Sequence, residues 1–433
     1  MQKIFISFLF TIFCISLFSQ EQGYKITIEL PGVDTKTLYV KGNYGDKSYI
    51  FDSIKPSSKF VYSLQSKKRT IPNGIYEIID KKGNSYLEFI VSQSRHFSIK
   101  TEQDKWSRYT VEGSDENKFF ALIKELEQSE MLNKETILQY IELSPESLLS
   151  KYLKAQYLFV ELPNDYLDDI EEILDIDAAY SYVKEHFFDH IDFQDARLLR
   201  TPINPKLDIF FTEILLNQHP DTINREIDHF IAKTKNSDEA KRYYLQYIYG
   251  LFDTGLPEHA GVIVHLYDNY CADGTCDWLD EHFNRRIKRD VLRKRNLLPG
   301  QIVPSLEAYT HTQEKISSEN LKTQHIVLWF WDPDCEDCIE QTPKLYEFYQ
   351  DFHEMYDFEV MAISITEDYE RWRNLLSQFP DWINISFAAG EPNYDFVDYF
   401  DLLTTPGIFV IDKDHKIIAR QFPLEEIFTI FEH

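Results

Sequence analysis

The spacing of apolar positions changes twice along the chain. Between residues 24 and 111 it comes in short runs with partial alternation: KITIEL, TLYVKGNY, SYIFDSI, KFVYSL, IYEIID, SYLEFIV and HFSIK. β-Branched and aromatic residues dominate these runs. Turn formers part them at Pro31-Gly32, Asn43, Pro56, Pro72-Asn73-Gly74 and Lys82-Gly83-Asn84. Short strands at this interval predict an all-β sandwich or small barrel. From Glu112-Gly113-Ser114 to about Leu298 the period becomes helical. Amphipathic helices are predicted over Arg225–Lys233, Glu239–Phe252, His259–Tyr270 and Asp277–Arg295. Ser144 before Pro145 and Glu146 reads as an N-cap, N1 proline and first-turn acid, and Asn236 with Glu239 as a capping box. No sequence repeat supports a named solenoid.

After Pro299-Gly300 strand and helix alternate. HIVLWFW (His325–Trp331) is a continuous apolar run, the pattern of a strand buried on both faces. A helix from near Cys335 follows, then the strand Phe358–Ile365 and a helix over Tyr369–Phe379. INISFA, a helix near Phe396, GIFVID, KIIAR and a last helix from Leu424 complete an α/β pattern. The fold class expected is therefore multi-domain: all-β, then all-α, then α/β.

The first segment stands apart from all three. Lys3 followed by the 15 apolar-rich residues Ile4–Phe18 is too short to span a bilayer and reads as a signal peptide, with cleavage after Ser19 or Gln20. An uncleaved anchor is the alternative, and membrane attachment is expected only in that case. Phe13 before Cys14 does not suit a lipobox. The expected division is 1–20 leader, 21–112 β-rich domain, 113–298 helical domain and 299–433 α/β domain. Length agrees, since 433 residues correspond to about three domains. Forty-five Lys and Arg against 72 Asp and Glu leave a net charge of −27, which repels phosphate backbones and anionic membranes. No nucleic-acid partner is expected. An exported chain places its remaining four cysteines in an oxidising compartment, periplasm or cell envelope.

Cys335-Glu336-Asp337-Cys338 follows the apolar strand where a helix begins. Two intervening residues in a first helical turn let the sulfurs reach bonding distance. The first sulfur is exposed at the helix end, where unpaired N–H groups favour thiolate, and the second is shielded one turn in. Cys335 is thus the expected nucleophile and Cys338 the resolving thiol. A zinc site would need four ligands, and no second CxxC or spaced His pair lies nearby, so no metal is expected. Peroxidatic chemistry would need Thr or Ser three residues before Cys335, where Asp332 stands.

With these residues in view, WFWDPDCEDCIEQTP (Trp329–Pro343) resembles the active-site strand and helix of TlpA/ResA-like thioredoxin-fold oxidoreductases. Pro343 matches the proline that kinks the active-site helix, and Thr405-Pro406 before GIFVID matches the cis-proline turn. The resemblance implies that this turn faces the CxxC and offers backbone to a substrate segment. Trp331, Pro333, Thr405 and Pro406 are then substrate-groove residues. LPGQIVPSLEAY (Leu298–Tyr309) resembles the family's N-terminal extension. A β-rich domain ending in VEGSDENKFF and a helical one containing HFFDHIDFQDARLLRTP resemble uncharacterised modules preceding such domains in bacterial cell-envelope proteins. Three features depart from the family. Gln341 stands where the family often has a proton-transferring Glu, with Glu340 adjacent but about 100° around the helix. His415 stands where the family turn has Gly. The dipeptide Glu336-Asp337 is doubly acidic and opposes thiolate formation, which favours a reductant over a strong oxidant.

Cys271 and Cys276 (CADGTC) have four residues between them in an expected loop. A structural disulfide is the first reading, with exchange against the CxxC, or free or metal-bound thiols, as alternatives. His186 and His190 share a helical face by spacing but read as structural. The basic run Arg285–Arg295 reads as a solvated face with acidic partners in the same chain. The expected function is reduction of protein disulfides through a mixed disulfide, without cofactor, the pair being re-reduced by an upstream thiol donor. The rival reading is an envelope binding protein whose α/β domain is a scaffold or redox sensor.

Overall fold

The computed structural model describes residues 23–103, 105–167, 172–216, 218–254, 259–272, 281–402 and 404–432. The leader lies outside these residues. The chain forms two compact units, Met1–Phe210 and Phe211–His433.

The first unit opens with nine strands: β1 (Tyr24–Glu29), β2 (Leu38–Tyr44), β3 (Lys47–Ile54), β4 (Pro56–Ser58), β5 (Val61–Ser66), β6 (Gly74–Ile79), β7 (Ser85–Val91), β8 (His96–Glu102) and β9 (Lys105–Glu112). They make two sheets, ordered β4-β5-β1-β8-β9 and β3-β2-β6-β7. One apolar core draws on both, with Ile26 and Ile28, Val40, Leu64, Ile78, Phe89 and Ile99 inward at alternating positions. This decides between the two expected forms: the domain is a sandwich. Pro56, read as a turn former, instead opens the short edge strand β4, where proline costs no ladder bond.

Helices α1 (Asp115–Gln128), α2 (Lys134–Leu143), α3 (Leu148–Tyr157), α4 (Ile176–His186) and α5 (Asn204–Asp208) follow. The buried Asn117 fastens α1 to the sandwich: its side chain accepts from Ile90 N at 2.8 Å and donates to Ile90 O at 2.7 Å. Gly113 turns the chain from β9 into α1 with φ +88°, where an added Cβ would sit 2.8 Å from His96 O. Two details differ from the sequence reading. Ser147, not Ser144, caps α3, because Ser144 terminates α2 and Pro145-Glu146 form the intervening turn. Helix α4 stops at His186, so His190 falls in a turn beyond it and the two histidines do not share a helical face. His186 pairs instead with Asp189 at 2.7 Å.

The second unit begins with α6 (Pro220–Ala232), α7 (Asp238–Phe252), α8 (Ala260–Tyr270) and α9 (Glu281–Asn296). The cap of α7 is Ser237 rather than Asn236, its side chain accepting from Ala240 N at 3.3 Å. Basic residues of α9 find acids in this unit: Arg293 pairs with Asp398 and Asp401, and Arg295 with Asp268. The helical stretch is therefore shared between the two units. Its first helix is hydrogen-bonded to the sandwich, while Leu297, just past α9, enters the α/β core.

That α/β part contains β10 (Glu307–Tyr309), β11 (Lys315–Ser317), β12 (His325–Trp331), α10 (Glu336–Tyr356), β13 (Phe358–Ser364), α11 (Tyr369–Leu375), β14 (Ile383–Ser386), α12 (Phe396–Tyr399), β15 (Gly407–Asp412), β16 (Ile417–Arg420) and α13 (Ile427–Phe431). The main sheet has the order β14-β13-β12-β15-β16. β12 lies at its centre, parallel to β13 and antiparallel to β15. Val327, Trp329 and Trp331 face one core and Ile326, Leu328 and Phe330 the other, which explains the unbroken apolar run. Helix α11 ends at Leu375 and continues as a 3-10 turn over Leu376–Gln378, and Phe379 leaves the helical region before Pro380.

Candidate active site

At the end of β12 the chain must turn sharply into α10. Asp332 makes that turn: its Oδ1 accepts from Asp334 N at 2.8 Å and its carbonyl from Cys335 N at 3.1 Å. Pro333 is buried within it. Cys335 is the N-cap of α10, and its Sγ accepts from Cys338 N at 3.2 Å, the place where Ser, Thr, Asp or Asn oxygen usually sits. The same thiol donates to Thr405 O at 3.1 Å. Cys335 is half-buried and Cys338 fully buried, and both are free thiols.

The two sulfurs therefore have different environments. Burial, reinforced by the hydrogen bond with Cys335, pushes the Cys338 thiol well above its ordinary value of 9.0. Cys335 Sγ meets an amide N–H at the N-terminal end of a 21-residue helix.

Thr405-Pro406 is a cis peptide bond, and it lies against the dithiol through the Thr405 carbonyl. Gly407 opens β15 where an added Cβ would lie 2.7 Å from Leu402 Cδ2. Glu336 and Asp337 are exposed in the first turn of α10. Gln341 is half-buried, and Pro343 lies inside α10 on its exposed side. Glu340 is exposed and bonded to Lys344 at 2.7 Å, which holds its carboxyl below the usual range. Thr342 is buried and accepts from Trp329 Nε1 at 3.1 Å. His415 has φ +61° in the turn before β16, with Asp412 Oδ1 accepting from Asp414 N and Lys416 N.

Cys271 is disulfide-bonded, while Cys276 lies outside the described residues. Among the described residues no group of three or more His, Cys, Asp or Glu is placed to hold a metal, and no helix is long and apolar enough to cross a membrane.

Sequence reasoning missed one part of the neighbourhood. Trp331, Pro333 and Cys338 also line a groove of about 430 Å³ whose far wall is α11 and the turn after it. Arg371 of that wall pairs with Asp334, beside Cys335. The signal was weak: an acid at position 334 called for a cation, but nothing in the sequence placed α11 opposite.

Residues 323–417 match a family model described as Thioredoxin-like. A protein of Oryza sativa subsp. japonica named "Probable nucleoredoxin 2" is 25% identical over 111 residues, covering 25% of this chain and 28% of that protein. "Probable nucleoredoxin 1" of Arabidopsis thaliana is 25% identical over 105 residues, 24% of this chain and 18% of that protein. The match thus spans under a third of either relative. Among solved structures, a thioredoxin-like protein from Bacteroides caccae is 17% identical, with 64% of this chain and 98% of that one covered and a TM-score of 0.48. A thiol-disulfide oxidoreductase from Bacteroides fragilis NCTC 9343 is 20% identical, with 30% and 98% covered and a TM-score of 0.28.

Proposed function

We propose that this chain, whose residues 323–417 are a thioredoxin-like domain, is an exported thiol–disulfide oxidoreductase that reduces disulfides of cell-envelope proteins. The reading is carried by the asymmetry of the pair: a half-buried Cys335 at a helix N-terminus and a buried Cys338 whose thiol is held protonated. Cys335 loses its proton and attacks one sulfur of a substrate disulfide. A mixed disulfide forms, and the other substrate sulfur leaves as a thiolate and takes up a proton. Cys338 then loses its proton and attacks Cys335 Sγ, expelling the second substrate thiolate. Two electrons have passed from the dithiol to the substrate, and a Cys335–Cys338 disulfide remains. An upstream dithiol of reducing potential must restore it. No cofactor enters these steps.

Glu336 and Asp337 set the direction. Their exposed carboxylates lie in the helical turn that Cys335 caps, where negative charge favours the disulfide form of the pair and so the reducing side. The reduction potential is expected below about −180 mV, the value for protein disulfide isomerase. Replacing both acids by Gln and Asn should raise it; a potential well above that value in the unaltered protein would refute the reductant assignment.

Insulin reduction tests the activity itself. Turnover is expected to fall to background in Cys335→Ser, and equal turnover in both proteins would favour the binding-protein reading. A Cys338→Ala variant in the native envelope should retain substrates as mixed disulfides on Cys335.

A further inference from the structure

The groove between α10 and α11 lies on the flank of Cys335 opposite Thr405-Pro406, because α11 links β13 to β14 while Thr405 precedes β15. Its floor is apolar, formed by Trp331, Leu375 and Phe379 around the buried Cys338. Its lip is Ile339, the residue after Cys338, with 62% of its surface exposed. An apolar side chain so exposed beside a reactive thiol loses free energy to water that a ligand would recover. Asn374 and Gln378, both exposed, bring amide groups to the rim. Trp331, 4% exposed, closes the floor with its ring.

We propose that this groove is a substrate subsite that takes one large apolar side chain, aromatic or leucine-like, of the polypeptide being reduced. The proposal rests on the redox reading above and names its substrate class. A volume of about 430 Å³ accommodates such a side chain with the adjoining backbone. Reach fixes which residue enters. The groove is shared with Cys338 and Ile339, one helical turn or about 5.4 Å beyond Cys335. An extended peptide advances about 3.3 Å per residue, so the second residue from the substrate cysteine arrives there. The rim amides of Asn374 and Gln378 meet its peptide groups. A disulfide with no residue two positions from its cysteine does not reach the groove and gains nothing from it.

The test uses the full chain and seven-residue peptides whose single cysteine carries a chromogenic aryl disulfide. Phe or Ala is placed two positions from the cysteine, before it in one series and after it in another. Reduction is followed as kcat/KM. In parallel, fluorescence polarisation measures binding of the same peptides with Ser in place of Cys, which reports the groove without the chemistry. Phe is expected to exceed Ala by roughly tenfold in both readouts in one of the two series, the scale on which apolar pockets discriminate. Asn374→Trp, which fills the groove from its exposed rim, should bring that ratio close to one. Arg373→Trp, on the same helix but outside the groove, should preserve it.

Turnover with equal rates for Phe and Ala in both series overturns the subsite and leaves the redox reading standing. A Phe preference in binding without turnover retains the subsite and overturns the redox reading. A preference that survives Asn374→Trp also removes the subsite.

Discussion

Two sulfurs three residues apart behave differently because one caps a helix and the other lies under it. For Cys338 the consequence extends to stability. Its folded-state thiol titrates above the ordinary value of 9.0, whereas an unfolded chain ionises it near 8.5. Below that pH both states are protonated and the stabilisation is complete. Above it the unfolded state releases the proton first, so stability falls as pH rises toward the folded-state value. Denaturant titrations at pH 7 and pH 10 should show a smaller alkaline loss for Cys338→Ala than for the unaltered protein. The kinetic counterpart is expected in single turnover: decay of the mixed disulfide should still accelerate above pH 10, where an ordinary thiol has reached its plateau. The sequence made the pair legible because CxxC at a strand–helix junction constrains both position and chemistry locally. Trp331 was legible as a substrate-groove residue through the family resemblance, but its surroundings were not. The groove around it and the Asp334–Arg371 pair depend on where α11 docks, about 35 residues further on, and local pattern does not contain that.

Among the elements, most strands and helices followed from period alone, and the errors concentrate at helix ends. Ser144 and Ser147 are both sound capping residues, and Pro145 made the first look better. The structure chooses the second because α2 runs through to Leu143. Ser147 Oγ accepts from Ser150 N at 3.0 Å in a buried setting. Ser147→Ala is therefore expected to cost about 1–2 kcal/mol in urea unfolding, and Ser144→Ala under ~0.5 kcal/mol. Equal losses would restore the sequence assignment. Asn117 carries more. Its removal strands both the N–H and the C=O of Ile90 in the interior, and Asn117→Ala should destabilise the first unit by about 2–4 kcal/mol. Nothing in the sequence distinguishes Asn117 from an ordinary first-turn polar residue.

At the scale of the molecule, three textures of sequence become two compact units. Composition located the β-rich, helical and α/β segments, but affiliation of the helices required tertiary contacts that no period encodes. Each unit has its own apolar core, so their unfolding need not be concerted. Trp329, Trp331, Trp372 and Trp382 report on the second unit and Trp106 on the first, so tryptophan fluorescence is weighted to the second unit, whereas far-UV circular dichroism reports on both. The two probes are expected to give non-coincident urea transitions; superimposable curves would mean that the units melt as one.

The hydrogen bond from the Cys335 thiol to Thr405 O has one more effect. Under the proposed function, a protonated sulfur occupies the carbonyl that a substrate main chain would use, so the resting site is closed by Cys335 itself. A thiolate cannot donate, so loss of that proton frees Thr405 O. Docking and activation are then, on that reading, a single event. A serine in place of Cys335 keeps a hydroxyl proton on Thr405 O and so imitates the closed state. Alanine cannot. Cys335→Ala should therefore bind substrate peptides more tightly than Cys335→Ser, although neither can react with them.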